Sequence, residues 1–206
     1  MHTDEAVHAI KFGSLLENND YKYDPYEYHG PTLNYFTLIP AWLSNAKKLS
    51  DVTEIHLRLV PLFFGMLLIP GFLFLRKELG NTAALAGAFL TSISPAFVFY
   101  SRYYIQEMVF TTFSFYMLIF VFKFLQKPKL SYALFGGISV ALFFATKETC
   151  IISFGALFLS VLYVLFLGKK DRAKFDSHSF QYLLFGILTF VVVSIVFYSS
   201  FFSYPR

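Results

Sequence analysis

The sequence predicts an all-α, polytopic membrane helical bundle, and three observations carry that prediction. Of 206 residues, 56% are hydrophobic and only 15% charged, and phenylalanine alone occurs 28 times, more apolar surface than a soluble domain of this length can bury. The apolar residues gather into six runs close to 20 residues, the length an α-helix needs to cross a hydrocarbon core of roughly 30 Å. Connectors too short to form domains separate these runs, and their charge alternates from one to the next.

Taken in order, residues 1–56 are too polar to span. Two stretches of this segment are amphipathic: Asp4 to Glu17, with Val7, Ile10, Leu15 and Leu16, and the aromatic-rich Thr32 to Leu43. Both are expected to be helices lying along the membrane interface. Between them, Asn18 to Pro31 is rich in Tyr, Asp, Gly and Pro and reads as an ordered loop. Residues 57–206 form the transmembrane bundle, with helices expected at 57–75, 82–100, 108–125, 130–146, 149–168 and 180–202. Arg58 opens the first run and Lys123 nearly closes the third, positions from which a long basic side chain reaches the headgroups.

Orientation follows from the connectors. Arg76 and Lys77, then Lys123, Lys127 and Lys129, then Lys169, Lys170, Arg172 and Lys174 occupy alternate connectors and mark the cytoplasmic side. Arg102, Glu107, Lys147 and Glu148 then face outward, and residues 1–56 lie on the same non-cytoplasmic side. The formal charge of +4 is dispersed among these turns rather than set on one face, so no nucleic-acid partner is expected. Cys150 is the single cysteine, which excludes an intramolecular disulfide and a cysteine-based zinc site. The opening Met1 to Glu5 lacks the basic and apolar regions of a signal peptide, so an upstream element is expected to carry residues 1–56 across.

The polar residues of the outer side are the candidates for chemistry. Thr3 as N-cap places Asp4 and Glu5 in a first helical turn, where the helix dipole favours carboxylates. Asp4 and His8 then share a face and can take a proton from a substrate hydroxyl, or ligate a divalent cation with His2 as a third donor. Spacing alone favours simple capping over either role. Tyr28, His29, Gly30 and Pro31 set an imidazole beside a rigid turn at the start of the second interfacial helix, as the wall of a site or as ordinary turn chemistry. Arg102 and Glu107 sit at the outer rim beside Tyr103; Arg102 suits a phosphate, and Glu107 suits a metal or the orienting of Arg102, with a structural ion pair as an equal alternative. Lys147 and Glu148 can hold a lipid phosphate or neutralise each other. Neither a P-loop, a dinucleotide fingerprint nor a Ser-His-Asp arrangement is present.

Four segments in order, MHTDEAVHAIKFGSLLE, YKYDPYEYHGPTLNYF, YSRYYIQEM and ATKET, resemble the membrane glycosyltransferases of the GT-C fold. Within them the chain looks like the dolichyl-phosphate-mannose protein mannosyltransferase-like superfamily, and like the prokaryotic branch labelled flippase-activity-associated protein. The resemblance covers nearly the whole chain and implies a prokaryotic cell-membrane enzyme. It implies Asp4 as the base that activates the acceptor, with Glu5 beside it, and Glu107 as the second acidic residue that binds a metal or the donor phosphate. Family members usually have aspartate where Glu107 stands and two prolines where His29-Gly30-Pro31 stands.

The implied donor is a polyprenyl-phosphate-linked sugar, its tail between helices and its phosphate at Arg102 and Lys147. His8, Tyr28, His29, Tyr103 and Glu148 complete the expected substrate-binding set. A divalent metal, Mg or Mn, is allowed at Asp4 and Glu107 without being demanded. Transfer to a glycan, lipid or protein acceptor proceeds with inversion. Two non-enzymatic alternatives remain: a lipid-linked-sugar transporter or flippase-associated accessory protein, and a scaffold in a glycan-assembly complex. The superfamily places a helix before the Asp-Glu loop and further helices with a soluble domain after the last run here, so the chain is expected to be a fragment.

Overall fold

The computed structural model describes residues 3–18, 21, 26, 29–167 and 177–202. The two helices expected ahead of the bundle form as α1, Thr3–Asn18, and α2, Thr32–Leu43. A 3-10 turn, Leu49–Asp51, leads into α3, Glu54–Phe74, whose entry is closed by the Thr53 N–H donating to His56 Nδ1 at 3.0 Å. There follow the short α4, Arg76–Leu79, then α5, Asn81–Ile93, and α6, Pro95–Tyr100. The chain continues as α7, Glu107–Gln126, α8, Leu130–Phe144, α9, Cys150–Leu167, and α10, Ser177–Tyr198. Among the described residues there is no strand; the fold is an all-α bundle.

Among the described residues three helices, α3, α7 and α10, are long and apolar enough to cross a membrane; α5, α8 and the described part of α9 are shorter apolar helices. The second expected span differs most from expectation. It is broken between Ile93 and Pro95, where Ser94 adopts an extended conformation with ψ 123°. The residue before a proline is driven out of the helical region by the pyrrolidine ring, so one apolar run becomes two helices. Continuous hydropathy concealed that break.

Packing proceeds outward from α3, which lies against α2, α5 and α7, while α8 lies between α7 and α10. Polar side chains join α7 to α3 across their interface: Thr112 Oγ1 donates to the Phe64 carbonyl and Tyr116 Oη to the Leu67 carbonyl, each at 2.8 Å. Between apolar helices in lipid, such bonds and close backbone approach replace the hydrophobic drive. Lys123, expected to reach the headgroups, is instead buried in an ion pair with Glu78 at 3.0 Å. Cys150 is buried beside Met117 and Phe143 and serves packing.

The two leading helices are docked on the bundle through one face each. Phe12 of α1, Leu33 and Ala41 of α2, Leu57, Val60 and Phe64 of α3, Tyr104 and Val109 form one buried cluster. In α1 the buried positions 5, 8, 9, 12 and 15 repeat at helical spacing. Val7 and Ile10 of α1 and Ile39, Trp42 and Leu43 of α2 remain exposed, the side an interfacial helix presents to lipid.

Candidate functional site

The N-terminal turn of α1 delivers two carboxylates to different surroundings, because adjacent helical residues diverge by about 100°. Asp4 is exposed, whereas Glu5 is only 2% accessible. Glu5 Oε1 accepts from the Tyr104 N–H at 2.9 Å and from Arg58 Nε at 3.1 Å, and Oε2 accepts from Arg58 Nη2 at 3.1 Å. This bidentate ion pair ties α1 to α3, and the Tyr104 bond ties it to the connector ahead of α7. Arg58, read from sequence as an interfacial side chain, is therefore a partner of the acidic pair. A cation opening an apolar run was the signal available for it.

One turn on, His8 is buried against His29, ring centroids 5.2 Å apart, and edge-on to Tyr104 at 6.5 Å. Among the described residues its Nδ1 has no hydrogen-bond partner. Burial, then the nearby His29 and Lys11, lower its pKa to about 4 against the opposing pull of Glu107 and Asp4, so the ring is neutral at pH 7.

The His29 turn is held from the far side of the bundle. The Gly30 N–H donates to the Thr146 carbonyl at 3.0 Å, Thr32 Oγ1 donates to Thr146 Oγ1 at 2.9 Å, and His29 pairs with Lys147 in an isolated antiparallel bridge. A Cβ at Gly30 would collide with the Ala145 carbonyl, so only glycine permits this approach. Tyr104 Oη and Thr37 Oγ1, 3.0 Å apart, close the floor. Burial raises the Tyr104 pKa well above the ordinary tyrosine value, which leaves a neutral phenol.

Glu107 opens α7 and meets Lys147, 3.1 Å from Oε1 to Nζ, while its buried Oε2 has no partner among the described residues. The sequence-local pairings of Glu107 with Arg102 and of Lys147 with Glu148 are thereby corrected: Lys147, 40 residues away along the chain, takes the Glu107 carboxylate. Glu148 is half-buried at the start of the turn into α9. Tyr103 is half-buried, stacked on Phe99 at 5.5 Å, with its pKa raised by desolvation and then by the charges of Asp4, Glu5 and Glu107.

Arg102 is exposed and points elsewhere. It lines a cavity of about 290 Å³ with Arg58, Glu54, Leu62 and Ser101, and a second of about 180 Å³ that shares Leu62, Ser101 and Arg102 and continues past Gly65, Met66 and Ile69. An apolar track along α3 thus ends at two guanidinium groups, one of them engaged by Glu5.

Asp4, Glu5, His8, His29, Tyr103, Glu107 and Lys147 are therefore assembled at one end of the bundle, with Arg102 beside them across Arg58. Tyr28 and His2 lie outside the described residues. Among the described residues no three His, Cys, Asp or Glu side chains are grouped to hold a metal. A hard divalent cation, however, commonly takes one or two protein carboxylates and completes its shell with phosphate and water, and the unpartnered Glu107 oxygen fits that mode.

A family model described as dolichyl-phosphate-mannose-protein mannosyltransferase matches residues 36–198, which include Arg102, Tyr103, Glu107, Lys147 and Glu148; Asp4, Glu5, His8 and His29 precede the matched range. No curated protein and no solved structure matches the chain. With most of its length matched, and with the apolar helices of an integral membrane protein, the chain belongs to the dolichyl-phosphate-mannose-protein mannosyltransferase family of GT-C-type membrane glycosyltransferases.

Proposed function

We propose that this protein transfers a sugar from a polyprenyl-phosphate donor to an acceptor hydroxyl on the non-cytoplasmic face, with Asp4 as the base. The observation that supports this most directly is the split between the two carboxylates of α1. Glu5 is buried and fully engaged with Arg58 and Tyr104, while Asp4, one residue earlier, is exposed toward the same rim. Glu5 acts as the anchor that positions Asp4, and Asp4 meets the acceptor.

In this reading the donor phosphate lies at Arg102, its isoprenoid tail along the α3 track past Leu62 and Met66. Asp4 accepts the proton of the acceptor hydroxyl as that oxygen bonds to the anomeric carbon. The bond from that carbon to the phosphate oxygen breaks, and the electron pair leaves on polyprenyl phosphate. One displacement inverts the anomeric centre. Arg102 neutralises charge growing on the departing phosphate, an attraction that strengthens as the bound donor displaces water from the rim. A divalent metal, Mg or Mn, held by Glu107 and Asp4 would supply further charge stabilisation at the phosphate. His8, neutral at pH 7, and His29 form the wall that orients the sugar, with Tyr103, Lys147 and Glu148 closing the side toward α9.

The test is sugar transfer from labelled polyprenyl-phosphate donors in membranes carrying matched amounts of the native protein, Asp4→Asn or Arg102→Ala. Asp4→Asn keeps the shape and removes the base, so transfer should fall by about 10²–10⁴-fold. Arg102→Ala should raise the donor concentration needed for half-maximal rate. Transfer unchanged in both variants would overturn the assignment and favour a carrier of lipid-linked sugars.

A further inference from the structure

At the end of the bundle remote from Asp4 lies a cavity of about 640 Å³, walled by four helices. Phe124 of α7, Tyr132, Gly136 and Val140 of α8, Val161 of α9 and Phe190 of α10 line it, and among the described residues none of its lining side chains carries a charge. Its volume falls in the range of ligand pockets, roughly 300–1,000 Å³. Along α7 it begins thirteen residues beyond Glu107, about 20 Å of helix, so it is separate from the candidate catalytic end.

The mouth is basic. Lys123 is already neutralised by Glu78 at 3.0 Å. Lys127 and Lys129, in the turn between α7 and α8, are exposed and make no ion pair among the described residues. The Lys129 ammonium stands 5.7 Å from the centroid of Tyr132, whose ring lines the cavity. The aromatic ring therefore joins an apolar slot to the Lys129 ammonium, with Lys127 two residues earlier in the same turn, and a basic pocket between transmembrane helices is the arrangement that binds anionic lipid headgroups.

We infer that this groove is a binding site for an anionic two-chain phospholipid, its acyl chain in the slot under Tyr132 and its phosphate at Lys127 and Lys129. The same chemistry would attract a polyprenyl phosphate. A donor seated here, however, would hold its sugar at the wrong end of the bundle from Asp4 and Glu107, so the groove is assigned to a resident lipid. That lipid fills the space between α7, α8, α9 and α10 that their own side chains leave open. The choice of a phospholipid over the isoprenoid donor rests on the catalytic end proposed above, whereas the groove and its basic rim stand on the geometry alone.

The site is tested by reconstituting the full chain in vesicles of equimolar dioleoyl phosphatidylglycerol and dioleoyl phosphatidylcholine, extracting it in mild detergent and quantifying co-purified lipid by mass spectrometry. Lys127 and Lys129 should enrich phosphatidylglycerol by roughly thirtyfold over phosphatidylcholine. Lys127→Gln/Lys129→Gln, exposed substitutions that leave the fold intact, should bring the ratio toward unity. Gly136→Leu should lower retention of both lipids, because a side chain there projects into the groove with only the Phe120 Cβ near its first atom, at 3.6 Å. Equal retention of the two lipids by the native chain, or a preference unchanged by the lysine variant, overturns the proposal. Displacement of retained phosphatidylglycerol by added polyprenyl phosphate at equal concentration overturns it in favour of the isoprenoid.

Discussion

Arg58 grips Glu5 with two parallel hydrogen bonds, Nε to Oε1 and Nη2 to Oε2, both 3.1 Å long, across 53 residues of sequence. The carboxylate is 2% accessible and the guanidinium side chain 38%, so the pair is buried on one side only. Deleting one member of a buried pair strands the other, which costs about 3–5 kcal/mol; water reaching the Arg58 side reduces this to roughly 2–3 kcal/mol. Arg58→Leu should therefore lower the melting temperature of the purified chain markedly. Glu5→Gln/Arg58→Leu should recover much of the loss, because the amide oxygen still accepts from Tyr104 and no charge is left buried. A single variant as stable as the native chain would show that the pair carries no structural role.

The burial of His8 predicts an acid-sensitive rim. A histidine whose folded pKa is about 4, below its ordinary 6.5, binds fewer protons folded than unfolded between those values. Its contribution is intact above pH 6.5 and falls away as the pH drops toward 4, by at most about 3 kcal/mol. His8→Phe keeps a flat ring beside His29 and Tyr104 and removes the titration. Melting temperatures measured from pH 7.5 to 4.5 should fall more steeply for the native chain than for His8→Phe. Parallel curves would mean that His8 is already protonated or already solvated in the fold.

The helices were legible because hydropathy and length are local properties, and α1 and α2 because their amphipathic spacing is local too. Partners were not. Glu107 lies five residues from Arg102, and Lys147 lies beside Glu148, yet the packing of α7 on α8 brings Glu107 to Lys147. Arg58 and Lys123 were read as headgroup-seeking because they stand near the ends of apolar runs. Each instead meets an acid from a distant element, Glu5 and Glu78. In a medium that cannot solvate ions, a charge near the membrane is settled by whichever opposite charge tertiary structure brings close. The Ser94-Pro95 break was open to the rule for residues preceding proline, and went unseen because its flanks are uniformly apolar.

The crossing of α8 and α10 depends on small residues and should respond to single methyl groups. A Cβ at Gly137 would run into the Gly186 carbonyl, and one at Gly186 into the Ala133 carbonyl, so these helices meet backbone to backbone. Gly137→Ala should destabilise by about 1–3 kcal/mol, the usual range for overpacking. Gly136→Ala, one residue away, meets only the Phe120 Cβ at 3.6 Å and should cost nothing measurable. Thermal unfolding of the two variants in the same detergent gives the comparison. Equal losses would place the crossing elsewhere on α8.

Gly30 offers a separation between holding the fold and holding the site. Its N–H donates to the Thr146 carbonyl at 3.0 Å, and the absent side chain leaves room for the Ala145 carbonyl. Ala145 ends a helix whose own backbone bonds fix it, so a methyl group at position 30 moves the His29 turn rather than α8. His29 would then lose its register against His8 and Lys147, while the buried cluster around Phe12, Leu33 and Phe64 lies outside the turn and stays packed. A displacement near 1 Å is enough to cost about 10²-fold in rate when groups must be oriented for reaction. Gly30→Ala should accordingly reduce sugar transfer by one to two orders of magnitude, about 10–10²-fold, with a melting temperature close to native. If stability and transfer fall together in proportion, the turn is part of the folded core, and the wall assigned to His29 has no separate role in the reaction.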